Sequence, residues 1–151
     1  MSTLGIRSTP RSVFFAIFDP DNNTIANVEE IKIPIALSTP LALKFIRSTI
    51  LDVLREYDVR KACIRATETI ASANIDRVQI EGVIQEAFAS SDLEDYSIGN
   101  IASISKMLGI ERSRFKPMVN DGINYLKINN WENHKKEERE AILSAIGAKN
   151  A

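Results

Sequence analysis

The five residues Asp19-Pro20-Asp21-Asn22-Asn23 narrow the fold of this chain more than any other stretch. Proline fixes φ and the Asp and Asn side chains bond to nearby backbone, so the segment reverses the chain. The flanking runs, Ser12 to Phe18 and Thr24 to Ile33, are rich in β-branched and aromatic residues, which predicts a hairpin. With Thr3 to Ile6 upstream, the start of the chain reads as a three-stranded antiparallel meander.

Helical signals follow. Ser38-Thr39-Pro40 supplies a hydroxyl cap and a proline just inside a helix start, and Phe45, Ile46, Thr49, Ile50, Val53, Leu54 and Tyr57 then recur at helical spacing. Lys61 to Ala66 is too short for a helix and suits a buried parallel strand, which a right-handed crossover returns beside the first strand. A second helix is predicted from Asp76 to Ser90, capped by Asn74, with Ile80, Val83, Ile84, Ala87 and Phe88 inward. Gly82 within that stripe suggests close packing. A brief strand from Tyr96 to Ile98, a small helix from Ile101 to Leu108 stopped by Gly109, and a last helix from Lys135 to Ile146 ended by Gly147 complete the pattern. Glu111 to Trp131 gives no clear periodicity.

At 151 residues, 44% hydrophobic and 26% charged, the chain reads as one globular domain over residues 1–151 that needs no staple. A formal net charge of −1 leaves no global positive field, so attraction to nucleic acid must come from a local patch. The single cysteine, Cys63, lies in Ala62-Cys63-Ile64 and is expected to be a buried small hydrophobe. Neither a secretory pattern nor a membrane-length apolar run is present, so the expected location is cytoplasmic. His134 stands alone, which argues against structural zinc and for a surface position.

The order strand, strand, strand, helix, strand, helix, strand, helix resembles the ribonuclease H-like fold. Leu4-Gly5-Ile6-Arg7-Ser8, Ala62-Cys63-Ile64-Arg65 and Glu137-Glu138-Arg139-Glu140-Ala141-Ile142 look most like its RuvC-type Holliday-junction-resolvase branch. The chain is also similar to a small uncharacterised bacterial family of RuvC-like proteins, in which an Ile-Arg pair ends the fourth strand and a helix bearing a glutamate follows, as Ile64-Arg65 and Glu81 do here. The resemblance implies an α/β single-domain fold with a mixed five-stranded sheet, three antiparallel strands then parallel ones, flanked by helices.

It also implies a site. Active members of this fold hold two divalent ions on carboxylates from the first strand, the fourth strand and the last helix. Where the first-strand acid belongs, this sequence has Arg7, and a guanidinium repels a cation but grips a phosphate. The fourth-strand acid should follow Ile64 directly, and Arg65-Ala66-Thr67 intervene before Glu68, so assigning the role to Glu68 assumes a register shift. Glu137 and Glu140 have the i, i+3 spacing that puts two carboxylates on one helix face; acids there also favour the helix dipole.

Candidate catalytic residues are therefore Glu68, Glu137 and Glu140. Candidate binding residues are Arg7, Arg65, Glu81, Arg112, Arg114 and Lys116. Glu81 is otherwise expected to be solvent-exposed or paired with Arg77, and Glu68 to pair with Arg65 or Arg77. The run Arg112-Ser113-Arg114-Phe115-Lys116 has the basic and aromatic character of a phosphate-tracking, base-stacking loop.

The leading expectation is a non-catalytic binding or scaffolding module with a degenerate acidic site, with nucleic acid as candidate partner and no cofactor. The rival is a nuclease for structured nucleic acid that holds Mg or Mn on Glu68, Glu137 and Glu140, so whether the chain is an enzyme stays open. A small-phosphate binder ranks last, since no glycine-rich phosphate loop is present. An unpaired sheet edge makes a homodimer a further expectation.

Overall fold

The computed structural model describes residues 1–68 and 73–150. Strands β1 (Ser2–Ser8), β2 (Ser12–Asp19) and β3 (Thr24–Lys32) form the meander, and helix α1 (Thr39–Glu56) crosses to β4 (Val59–Arg65). Helix α2 (Ile75–Ser90), strand β5 (Asp95–Gly99) and helices α3 (Ile101–Leu108), α4 (Phe115–Asp121) and α5 (Lys136–Ala148) follow. The sheet order is β3-β2-β1-β4-β5, with β1–β2 and β2–β3 antiparallel and β1–β4 and β4–β5 parallel. The expected mixed sheet is therefore present.

Strand periodicity sorts the core into two layers. Val13, Phe15 and Ile17 of β2 join Leu4, Ile6 and Ile64 beneath α1 and α2. Their neighbours Phe14, Ala16 and Phe18 join Cys63 on the opposite face, with Trp131 and the buried side of α5. Because both faces are covered, β2 reads as a continuous apolar run rather than an alternating one. Cys63 is buried, as its surroundings implied.

Helix α5 lies directly on β1. A Cβ placed on Gly5 would stand 2.0 Å from the Ala141 carbonyl oxygen and 2.2 Å from the Ala145 nitrogen, so only glycine permits this approach. Thr3 Oγ1, one β1 pleat away on the same face, donates to the Ala145 carbonyl at 2.5 Å. This contact fixes where the first turns of α5 point.

Several local expectations need correction. Gly82 faces open space rather than a packed neighbour. Gly147 lies inside α5 instead of ending it, and the helix runs on to Ala148. Ser38 takes the cap position of α1 and its backbone carbonyl accepts from the Ala42 amide, but its hydroxyl makes no side-chain cap bond. Asn74 does cap α2, accepting from the Arg77 amide. The segment that gave no periodicity holds α4, closed by Gly122 at φ 69°. No helix among the described residues is long and apolar enough to cross a membrane.

Candidate nucleic-acid interface

Arg7 and Arg65 are direct partners in the β1–β4 register. Leu4 and Ile6 of β1, and Ala62 and Ile64 of β4, face α1 and α2, so period two turns Arg7 and Arg65 to the side that α5 covers. Two cations side by side on adjacent strands repel. Glu140, on the second turn of α5, relieves that repulsion: its Oε1 is 3.3 Å from Arg7 Nε and its Oε2 is 3.0 Å from Arg65 Nε. The Arg65 Nε contact is ionic rather than a directed hydrogen bond, since that N–H points off the carboxylate.

All three side chains are largely buried, with Arg65 at 7% exposure and Arg7 and Glu140 at 13%. Burial lowers the Arg7 pKa to about 10; Glu140 pulls it back up and Arg65 lowers it further. Arg7 is therefore still cationic at neutral pH. Its Nη1 donates to the carbonyls of Arg65 at 3.0 Å and Ala66 at 3.4 Å, while Arg65 Nη1 donates to the Ala66 carbonyl. These bonds seal the open end of β4, and Nη2 of Arg7 makes no hydrogen bond among the described residues.

The remaining acids anchor the rim. Glu68 Oε2 sits 2.8 Å from Arg65 Nη2 and accepts from the Ile101 amide at 3.3 Å. Glu81, expected at the surface, is 5% exposed; its burial is made tolerable by the Thr67 amide at 3.0 Å, the Thr67 hydroxyl at 2.6 Å and Arg77 Nε at 3.4 Å. The pairing with Arg77 is the part of the expectation that the structure carries. Glu81 thus holds Arg77 at the edge of the site.

Arg7, Arg65 and Arg77 join Lys116, Thr67, Glu68 and Ile101 around a cleft of about 350 Å³. Of the candidates read from the sequence, Arg7, Arg65, Glu68, Glu140, Glu81 and Lys116 meet here. Glu137 is half-buried on α5, and its carboxylate pairs with no cation among the described residues. Arg112 is exposed and Arg114 lies over the Tyr125 ring at 4.7 Å. Phe115, the aromatic of the expected stacking loop, is 1% exposed and packs 5.8 Å from the Arg65 guanidinium, so it cannot meet a base. Arg77 is the cleft residue that the sequence offers only as a partner for acids.

The donor set does not suit a divalent ion. Both oxygens of Glu140 face guanidinium groups and Glu68 is held by a second ion pair of Arg65. Among the described residues no group of three His, Cys, Asp or Glu side chains is placed to hold a metal.

Solved structures superpose on nearly the whole chain. RuvC of Thermus thermophilus aligns with a TM-score of 0.73 at 10% identity, covering 99% of this chain and 94% of that one. This is the fold of the RuvC resolvases. The same organism's RuvC in complex with a Holliday junction substrate gives 0.71 at 15% identity over 99% and 93%. The yeast mitochondrial Holliday junction resolvase gives 0.60 at 12%, covering 98% and 77%. No family model and no curated relative matches the sequence. The RuvC fold is thus shared while nine residues in ten or close to it differ, and function has to be argued from the side chains in the cleft.

Proposed function

We propose that this protein is a binding module that grips the phosphate backbone of structured nucleic acid in the Arg7–Lys116 cleft without cutting it. The observation that carries this reading is Arg7 itself. A guanidinium stands at the end of β1, where the RuvC resemblance calls for a metal-bridging acid, and it is ion-paired to the α5 glutamate.

Four cations, Arg7, Arg65, Arg77 and Lys116, line the cleft, against the three carboxylates of Glu68, Glu81 and Glu140 that pair with them. The local balance is positive although the chain as a whole carries −1. A guanidinium offers a planar fork of donors that matches phosphate oxygens, and Nη2 of Arg7, which has no hydrogen-bond acceptor among the described residues, is the donor left for an incoming anion. Solved RuvC in complex with a Holliday junction substrate supports branched DNA as the class of ligand to try first.

Calorimetric titration with Mn²⁺, alongside incubation of a four-way DNA junction with Mg²⁺ or Mn²⁺, tests the reading. The expected result is no saturable metal binding at millimolar concentration and a junction that is bound but intact. Metal-dependent cleavage that disappears in Glu140→Gln would overturn it in favour of a nuclease using Glu68, Glu137 and Glu140.

A further inference from the structure

Phe115 begins α4 and its buried ring packs beside Arg65. That contact pins the chain on either side of it to the rim of the cleft. Lys116 lines the cleft. Arg114 turns the other way, with its guanidinium 4.7 Å from the centre of the Tyr125 ring. Two residue steps of about 3.8 Å separate the two Cα atoms at most, so ring and cleft lie within reach of one extended strand.

The Arg114–Tyr125 pair is built unlike an ordinary surface contact. Arg114 forms no ion pair among the described residues, although acids are as frequent in this chain as bases. Tyr125 is 40% exposed, and its hydroxyl has no hydrogen-bond partner among the described residues. An exposed ring that carries a flat, unneutralised cation presents two surfaces on which a nucleobase can stack.

We propose that Arg114 and Tyr125 form a stacking platform for an unpaired base whose flanking phosphates lie in the Arg7–Lys116 cleft. The ligand then contains single-stranded or unstacked nucleotides, because bases inside a duplex have no free face to offer. The inference rests on the phosphate-cleft reading and names the part of the nucleic acid that the neighbouring surface takes.

Fluorescence anisotropy at low salt, with a labelled oligothymidine strand, a duplex of equal length and an abasic strand with the same phosphates, separates the two ideas. The oligothymidine strand is expected to bind tightest. Tyr125→Ala should weaken it by about tenfold or more, leave the duplex and the abasic strand unchanged, and be rescued by Tyr125→Phe. Lys116→Ala should weaken all three. If Tyr125→Ala leaves the oligothymidine strand unaffected while Lys116→Ala still acts, the platform is wrong and the cleft stands. If the wild-type protein binds none of the three but still binds a four-way junction, the platform is wrong and the cleft stands; if it binds no junction either, both are wrong.

Discussion

Arg7 Nε and Glu140 Oε1 stand 3.3 Å apart, joining the first strand to the last helix across 133 residues of chain through two side chains that are each 13% exposed. The pair is the hub of a network, since Glu140 also neutralises Arg65. Its consequences can be measured as stability and as binding.

Removing the acid should be costly. Glu140→Ala leaves two neighbouring guanidinium groups without their shared counter-ion in a largely dry site, and breaking a buried pair in this way typically costs about 3–5 kcal/mol. Urea unfolding should show a loss of that order. In an Arg7→Met background, with one cation fewer to compensate, the same substitution should cost at least about 1 kcal/mol less.

Gly5 positions the network, because α5 can reach Arg7 only by lying on bare backbone. Gly5→Ala forces the helix outward, and overpacking of this kind costs about 1–3 kcal/mol or more. Thermal unfolding should drop by roughly 5–10 °C. Gly82→Ala, by contrast, meets nothing within 4 Å, and on an exposed helical face it should stabilise by about 0.5–1 kcal/mol.

Cys63 should be silent towards thiol reagents until the protein unfolds. Burial raises its pKa above the ordinary 9.0, with Ser97 and Ser144 pulling it down by lesser amounts. A thiol whose folded pKa is raised contributes stability that is complete below the unfolded value and is lost as pH rises through the folded one. The stability advantage of wild type over Cys63→Ala should therefore shrink from neutral to strongly alkaline pH, as read by urea midpoints.

The meander was legible because the Asp19–Asn23 turn and the flanking β-formers agree at every level, and α1 to α3 because caps and apolar spacing coincide. The site was legible only in its residue types. That Arg7 and Arg65 share a face depends on the β1–β4 register, a pairing between segments far apart in the chain. Glu81 looked like a surface residue because it is a carboxylate beside the apolar stripe of α2, and the Thr67 donors that satisfy it lie before the helix. Around Tyr125 the chain turns on Gly122, Lys127 and Asn130, all at positive φ, so no period survives there. The Phe115, Met118 and Val119 spacing followed by Gly122 is the signal that could have revealed α4.

The most direct measurement is the affinity of Arg7→Met for a four-way DNA junction in EDTA, set beside its thermal stability. Arg7 is a desolvated cation facing another cation, and Arg65 remains to neutralise Glu140 once Arg7 is gone, so its replacement by an apolar side chain of similar length should lower the melting temperature by less than Glu140→Ala does. Metal-free affinity should fall by about tenfold, as expected when a charged hydrogen bond to phosphate is lost. Undiminished junction binding by a folded Arg7→Met, or binding by wild type that requires a divalent ion, would contradict the account.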